Sequence, residues 1–172
     1  AGVTTGLYTV RVTLNVALEA EANNGPTNNT QATAQNLDPS FLSLGGAASR
    51  GAVVGATDTS SGNDFYAFTL AAGDTATLAL RVPAGTPSLT LRDASGTLLA
   101  LGATGATNVS RIVTDFTATV AGTYYAVVNN SSSGQIYTLV VTRNAEFDTE
   151  PNDTPAVARD VVSSQVAGEQ RA

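Results

Sequence analysis

The sequence predicts an all-β fold, an antiparallel jelly-roll-like β-sandwich of about eight strands, on three observations. Apolar residues alternate at period two along short runs, Gly, Asp, Asn and Pro punctuate those runs at close intervals, and helical periodicity is almost absent. In chain order, strands are expected over 50–57 (RGAVVGAT), 64–70 (DFYAFTL), 74–82 (DTATLALRV) and 87–93 (PSLTLRD). The rest fall over 96–102 (GTLLALG), 110–120 (SRIVTDFTATV), 122–129 (GTYYAVVN) and 135–143 (QIYTLVVTR). Turn chemistry separates them: AAGD at 71–74, DASG at 93–96, VAG at 120–122 and NNSSSG at 129–134. Short strands with tight turns close into two packed sheets.

Alternation also assigns faces. Tyr66, Phe68 and Leu70 share one side of their strand, and Ala76, Leu78, Leu80 and Val82 share one side of the next. Leu89, Leu91, Val113, Phe116 (reached across a bulge), Tyr124 or Tyr125, Tyr137, Leu139 and Val141 complete the expected interior. Aromatic residues on alternating strands bury one face, so Tyr124 and Tyr125 read as core before they read as a stacking surface for sugar or peptide.

Composition narrows the chemistry. The chain has 172 residues and is 42% hydrophobic, enough for a packed core, but only 13% of it is charged and all eight basic residues are Arg. A net charge of −6 opposes nucleic-acid partners and anionic lipid surfaces. Without Cys there is neither a disulfide nor a thiolate site, and without His the usual general base and transition-metal ligand are missing. Any metal would be a hard cation held by oxygen. No apolar stretch approaches the ~20 residues of a membrane span, so no membrane insertion is expected. The Ser-rich stretches at 60–64 and 129–134 lack an activating base, and Asp74, Asp93 and Asp115 sit in turns or on an outer face rather than across a cleft. An enzyme is not expected.

One phrase occurs twice. GLYTVRVTLN followed by EAEANN near the front lies over QIYTLVVTRN followed by DTEPND near the back. At one constant offset Tyr8 falls on Tyr137, Thr9 on Thr138, Val12 on Val141, Asn15 on Asn144, Glu21 on Glu150 and Asn23 on Asn152. GPTNN then intervenes in the first copy only, after which Thr30, Ala32 and Ala34 match Thr154, Ala156 and Ala158. Such an offset marks a tandem array. Residues 1–16 read as the last strand of a preceding repeat, 17–143 as one complete sandwich, and 144–172 as linker and start of the next repeat. Strand 7–14 then has no sheet of its own and needs a partner.

The order of EPNDTPAVA, NDFYAFTLAAGDTATLAL, LTLRDASGTLLA and AGTYYAVVNNSSSGQIYTLVV resembles the bacterial pre-peptidase C-terminal domain family, over most of 19–143 and again over 148–160. The resemblance implies a non-catalytic jelly-roll module of a secreted or cell-surface bacterial protein, related to the collagen-binding domains of clostridial collagenases. It also implies Ca2+ held between linker and sandwich. Carried over position by position, the ligands fall on Glu19, Glu21, Asn23, Asn24, the carbonyl of Ala56, Asp64 and Ser61, with Asp58 in the same loop. Asn24 and Ser61 stand where the family has acids. In the next repeat the pattern falls on Asp148, Glu150, Asn152 and Asp153. The collagen-binding tyrosines of the collagenase domains map to Asn129 and Ser131, so collagen is not the expected ligand.

Residues two apart on an extended segment point the same way, so Glu19 and Glu21 can reach one ion. By residue type alone the segment reads first as a solvated hinge, and it is the resemblance that turns the reading toward calcium. The expected role is spacer, adhesion or targeting unit. The expected partners are neighbouring repeats and an extracellular matrix or surface ligand. Two alternatives stand beside it: a filament subunit joined head to tail to other copies through exchanged terminal strands, and a removable auxiliary domain of a secreted protease.

Overall fold

The computed structural model describes residues 12–57 and 62–159. Eleven strands are present among these residues: β1 (Ala17–Leu18), β2 (Gln35–Asn36), β3 (Leu42–Gly45), β4 (Ala48–Ala56), β5 (Asn63–Leu70), β6 (Thr75–Arg81), β7 (Ser88–Arg92), β8 (Leu98–Leu101), β9 (Arg111–Thr117), β10 (Gly122–Asn129) and β11 (Ile136–Arg143). One sheet runs β1-β4-β11-β6-β9, with β3 also on β4, and the other runs β2-β5-β10-β7-β8. The eight expected strands are β4 to β11. All their mutual pairings are antiparallel.

The additions are short. β1 and β2 are dipeptides that pair parallel with β4 and β5, so the sheets are mixed rather than purely antiparallel. Two residues carry no alternation, which is why pattern reading passes over them. β3 is an edge strand with Leu42 and Leu44 exposed. It turns into β4 through Gly45 (φ 110°) and Gly46 (φ 54°), a left-handed pair that glycine adopts without strain.

The core lies between the sheets and matches the expected faces. Tyr66, Phe68, Leu70, Leu78, Leu80, Leu89, Leu91, Leu139 and Val141 are all buried. Tyr124 is inside, donating its hydroxyl to the Val120 carbonyl at 2.7 Å, while Tyr125 is only half-buried. The expected bulge is present where β6 meets β9: register shifts between Ala76 and Leu78, and Asp115 sits at φ 50°. Thr77 Oγ1 accepts the Asp115 amide at 3.1 Å, so the unpaired donor is satisfied locally.

Most of the expected strand 7–14 lies outside the described residues. Of its described end, Val12 and Leu14 are 80% and 77% exposed. Among the described residues no helix is long and apolar enough to cross a membrane.

Candidate metal centre

The parallel pairing of β1 with β4, continued by a bond from the Glu19 amide to the Val54 carbonyl at 2.9 Å, plants Glu19 in the sandwich. It is only 1% exposed. Its Oε2 accepts the Ala56 amide at 2.8 Å. Its Oε1 accepts Tyr66 Oη at 2.9 Å, Tyr137 Oη at 3.1 Å and Asn28 Nδ2 at 3.3 Å. Tyr137 Oη also lies 2.7 Å from Asp64 Oδ2, so its one proton is shared between Asp64 and Glu19, and the two tyrosine hydroxyls are themselves hydrogen-bonded. Gly55 makes the room: a Cβ there would lie 2.5 Å from the Tyr137 ring and 2.9 Å from Glu19 Oε2.

Burying a carboxylate is costly unless donors or a cation compensate. Among the described residues no arginine pairs with Glu19 or Glu21; the ion pairs join Arg143 to Asp38 and Arg159 to Asp115 and Glu146. Donors do the compensating. Burial, and then the negative charge of Glu19, pushes the Tyr66 hydroxyl well above the ordinary phenol range. Burial, with Tyr66, Asp64 and Glu19 adding to it, does the same to Tyr137. Both stay protonated at neutral pH and act as donors.

Glu21 opens a 3-10 turn (Glu21–Asn23) that closes with Asn24 at φ 61° and Gly25, whose amide bonds the Ala20 carbonyl at 2.8 Å. Beyond the turn the chain returns. Glu21 Oε2 accepts the Asn28 amide at 3.2 Å and Oε1 accepts Asn29 Nδ2 at 3.2 Å. Asn28 Oδ1 and Asn29 Oδ1 are then buried acceptors with no hydrogen-bond partner.

The second copy repeats these bonds. The Asn152 amide donates to Glu150 Oε2 at 2.9 Å, and Asn152 Nδ2 donates to Asp148 Oδ1. Asn28 makes the same two bonds to Glu21 and Glu19. The structural counterpart of Asn152 is therefore Asn28, and the insertion in the first copy is NNGPT (23–27), two residues earlier than GPTNN (25–29). The two placements match equally well in sequence, because NN stands on both sides of GPT. The side chains beside the first pair of glutamates are accordingly Asn28 and Asn29. Asn23 lies in the turn, its Nδ2 donating to the Glu19 carbonyl at 2.9 Å, and Asn24 is an exposed turn residue.

The other expected ligands are scattered. At Ala56 it is the amide N–H that meets Glu19. Asp64 joins the buried network through Tyr137, whereas Asp58 and Ser61 lie outside the described residues. Asp148 and Asp153 are exposed. Among the described residues no three acidic, His or Cys side chains form a group able to hold a metal ion. What lies together is mixed: Glu19 and Glu21 meet the side-chain nitrogens of Asn28 and Asn29, whose Oδ1 atoms stay without a hydrogen-bond partner. Carboxylate and amide oxygens are donor types that calcium takes.

Residues 17–29 thus form a polar strap bonded to the sandwich. Residues 62–130 match the model of the family described as bacterial pre-peptidase C-terminal domain, a match that supports an auxiliary domain of a bacterial protein. The match covers β5 to β10 and not the strap. Among solved structures, the chain is similar to the pre-peptidase C-terminal domain of a collagenase from Bacillus anthracis, at 19% identity and TM-score 0.44, covering 52% of this chain and 86% of that one. It is also similar to PliG of Aeromonas hydrophila, a periplasmic inhibitor of g-type lysozyme, at 10% identity and TM-score 0.46, covering 64% and 95%. The PliG of Salmonella Typhimurium is similar at 13% identity and TM-score 0.37, covering 63% and 95%. No curated protein matches the sequence.

Proposed function

We propose that this chain is a non-catalytic, calcium-stabilised sandwich from a tandem array in a secreted or cell-surface bacterial protein, acting as a passive spacer that carries or positions other domains. The observation that carries the calcium reading is the pair of buried, unpartnered oxygens, Asn28 Oδ1 and Asn29 Oδ1, beside Glu19 and Glu21. Glu21, Asn28, Asn29 and the less crowded Oε2 of Glu19 would hold the ion. Bound there, calcium would neutralise the strap and fasten it to the sandwich, a useful brace in a chain without Cys.

Two features support the array. Asn15 and Asn144, matched by the repeat, adopt the same left-handed conformation at φ 58° and 51°. Val12, the counterpart of fully buried Val141, is 80% exposed, as expected of a residue whose sandwich lies upstream. Export is supported by the family match over residues 62–130. Calorimetric titration with calcium tests the reading: wild type gives a saturable heat and Glu21→Gln a much weaker one, whereas no heat at millimolar calcium refutes it.

A further inference from the structure

The strap of the second copy is gripped by the sandwich before it. Asn108 Nδ2 donates to the Asp148 carbonyl at 2.9 Å, and Asn108 Oδ1 accepts the Glu150 amide at 3.1 Å. The Thr107 amide donates to the Glu150 carbonyl at 2.9 Å. One side-chain amide thus mimics a strand's peptide edge against 148–150. The loop that offers it is itself fixed: Arg81 Nη1 binds the Asn108 carbonyl at 2.9 Å, and the Ser110 amide bonds the Leu80 carbonyl at 2.7 Å. Arg159 closes the far side, donating to Glu146 at 2.9 Å and Thr149 at 2.9 Å.

The first copy shows which backbone groups a strap gives to its own sandwich. These are β1, the Glu19 amide to Val54, the Leu18 carbonyl and Ala20 amide to the Gln35 side chain, and the Asn28 carbonyl to the Phe65 amide. Their counterparts are 146–147, the Asp148 amide, the Phe147 carbonyl, the Thr149 amide and the Asn152 carbonyl. The Asn108 loop uses none of these. It takes instead the Asp148 carbonyl and both polar groups of Glu150. In the first copy the two matching carbonyls are taken by the insertion: Asn23 Nδ2 binds the Glu19 carbonyl and the Asn24 amide binds that of Glu21 at 3.1 Å. Insertion and preceding loop are alternative partners for the same atoms.

Resting on the tandem reading, we infer that the Asn108 loop is the upstream half of a rigid joint. It holds the following unit's strap by one set of backbone groups while that unit's own sandwich holds it by the other. A strap carrying the NNGPT insertion satisfies its own carbonyls, so its joint is released from the preceding loop. The occupant of this surface is therefore the next repeat of the same chain, in its uninserted form.

Because the chain lacks Cys, labels at V120C and V157C, both exposed in the parent residues, report the strap's position without background. Electron–electron resonance should give one narrow distance in the full chain and a clearly broader distribution in Asn108→Ala. Inserting NNGPT between Pro151 and Asn152 leaves the sandwich untouched and should broaden it equally, so the test survives a misfolded N108A. A width unchanged by the insertion overturns the joint, as does a broad wild-type distribution. A second label moved into the following sandwich of the parent polypeptide should remain narrow; a broad result there also overturns it. Calcium titration is independent: a clasped strap that binds no calcium refutes the metal reading and leaves the joint standing.

Discussion

The two straps carry the same phrase and make the same pair of asparagine bonds, yet one is buried and the other is not. Glu19 is 1% exposed and takes four donors, whereas its counterpart Asp148 is exposed and takes one side-chain amide from Asn152 on its carboxylate. The local motif is written in the phrase itself. Burial comes from the sandwich downstream, through Val54, Ala56, Tyr66 and Tyr137, none of which lies in the strap itself. Identical short-range chemistry thus acquires a different energetic weight from its surroundings.

The sharpest way to break the comparison is to delete both acids. Glu19→Ala strands the Ala56 amide and Asn28 Nδ2 in the interior, takes one acceptor from Tyr66 and Tyr137, and should cost about 3 kcal/mol in urea unfolding. Asp148→Ala should cost less than about 0.5 kcal/mol. Equal losses would contradict the burial argument. Next in size, Gly55→Ala forces a methyl group against Tyr137 and Glu19 and should cost about 1–3 kcal/mol. Tyr137→Phe leaves Asp64 and Glu19 short of a shared donor and should cost about 1–2 kcal/mol, with the native fold kept by circular dichroism.

Acid gives the smallest effect. Partial burial pushes the Asp38 carboxyl up, but hydrogen bonds from Thr69 and the bond and charge of Arg143 outweigh it and hold the group below its usual value. Its contribution is present above the unfolded value of about 3.9 and is lost as pH falls through the lower folded value. Asp38→Asn should flatten the stability profile below about pH 4 and leave the profile near neutrality unchanged in slope.

Much of the fold was legible in the sequence because β4 to β11 are long enough for alternation to register, and the bulge between Val113 and Phe116 showed as a slip in that alternation. The dipeptide strands β1 and β2 were not, since two residues have no period. At the candidate site, Glu19, Glu21 and Asp64 stood out by charge and by resemblance. Asn28 and Asn29 did not, because NN flanks GPT on both sides and the register of an insertion is invisible there. Tyr66 and Tyr137 were assigned to the core and are in it; their hydroxyls, turned toward the buried carboxylates, left no mark in the pattern.

Calcium bracing of the strap is tested most directly by the melting temperature of the full chain in 10 mM calcium against chelator. At the ~0.1 mM affinity of tighter extracellular sites, the ion adds about 2.7 kcal/mol, an upward shift of about 5–10 °C in wild type and Asp148→Asn and almost none in Glu21→Gln. Coincident curves with and without calcium in wild type would contradict it.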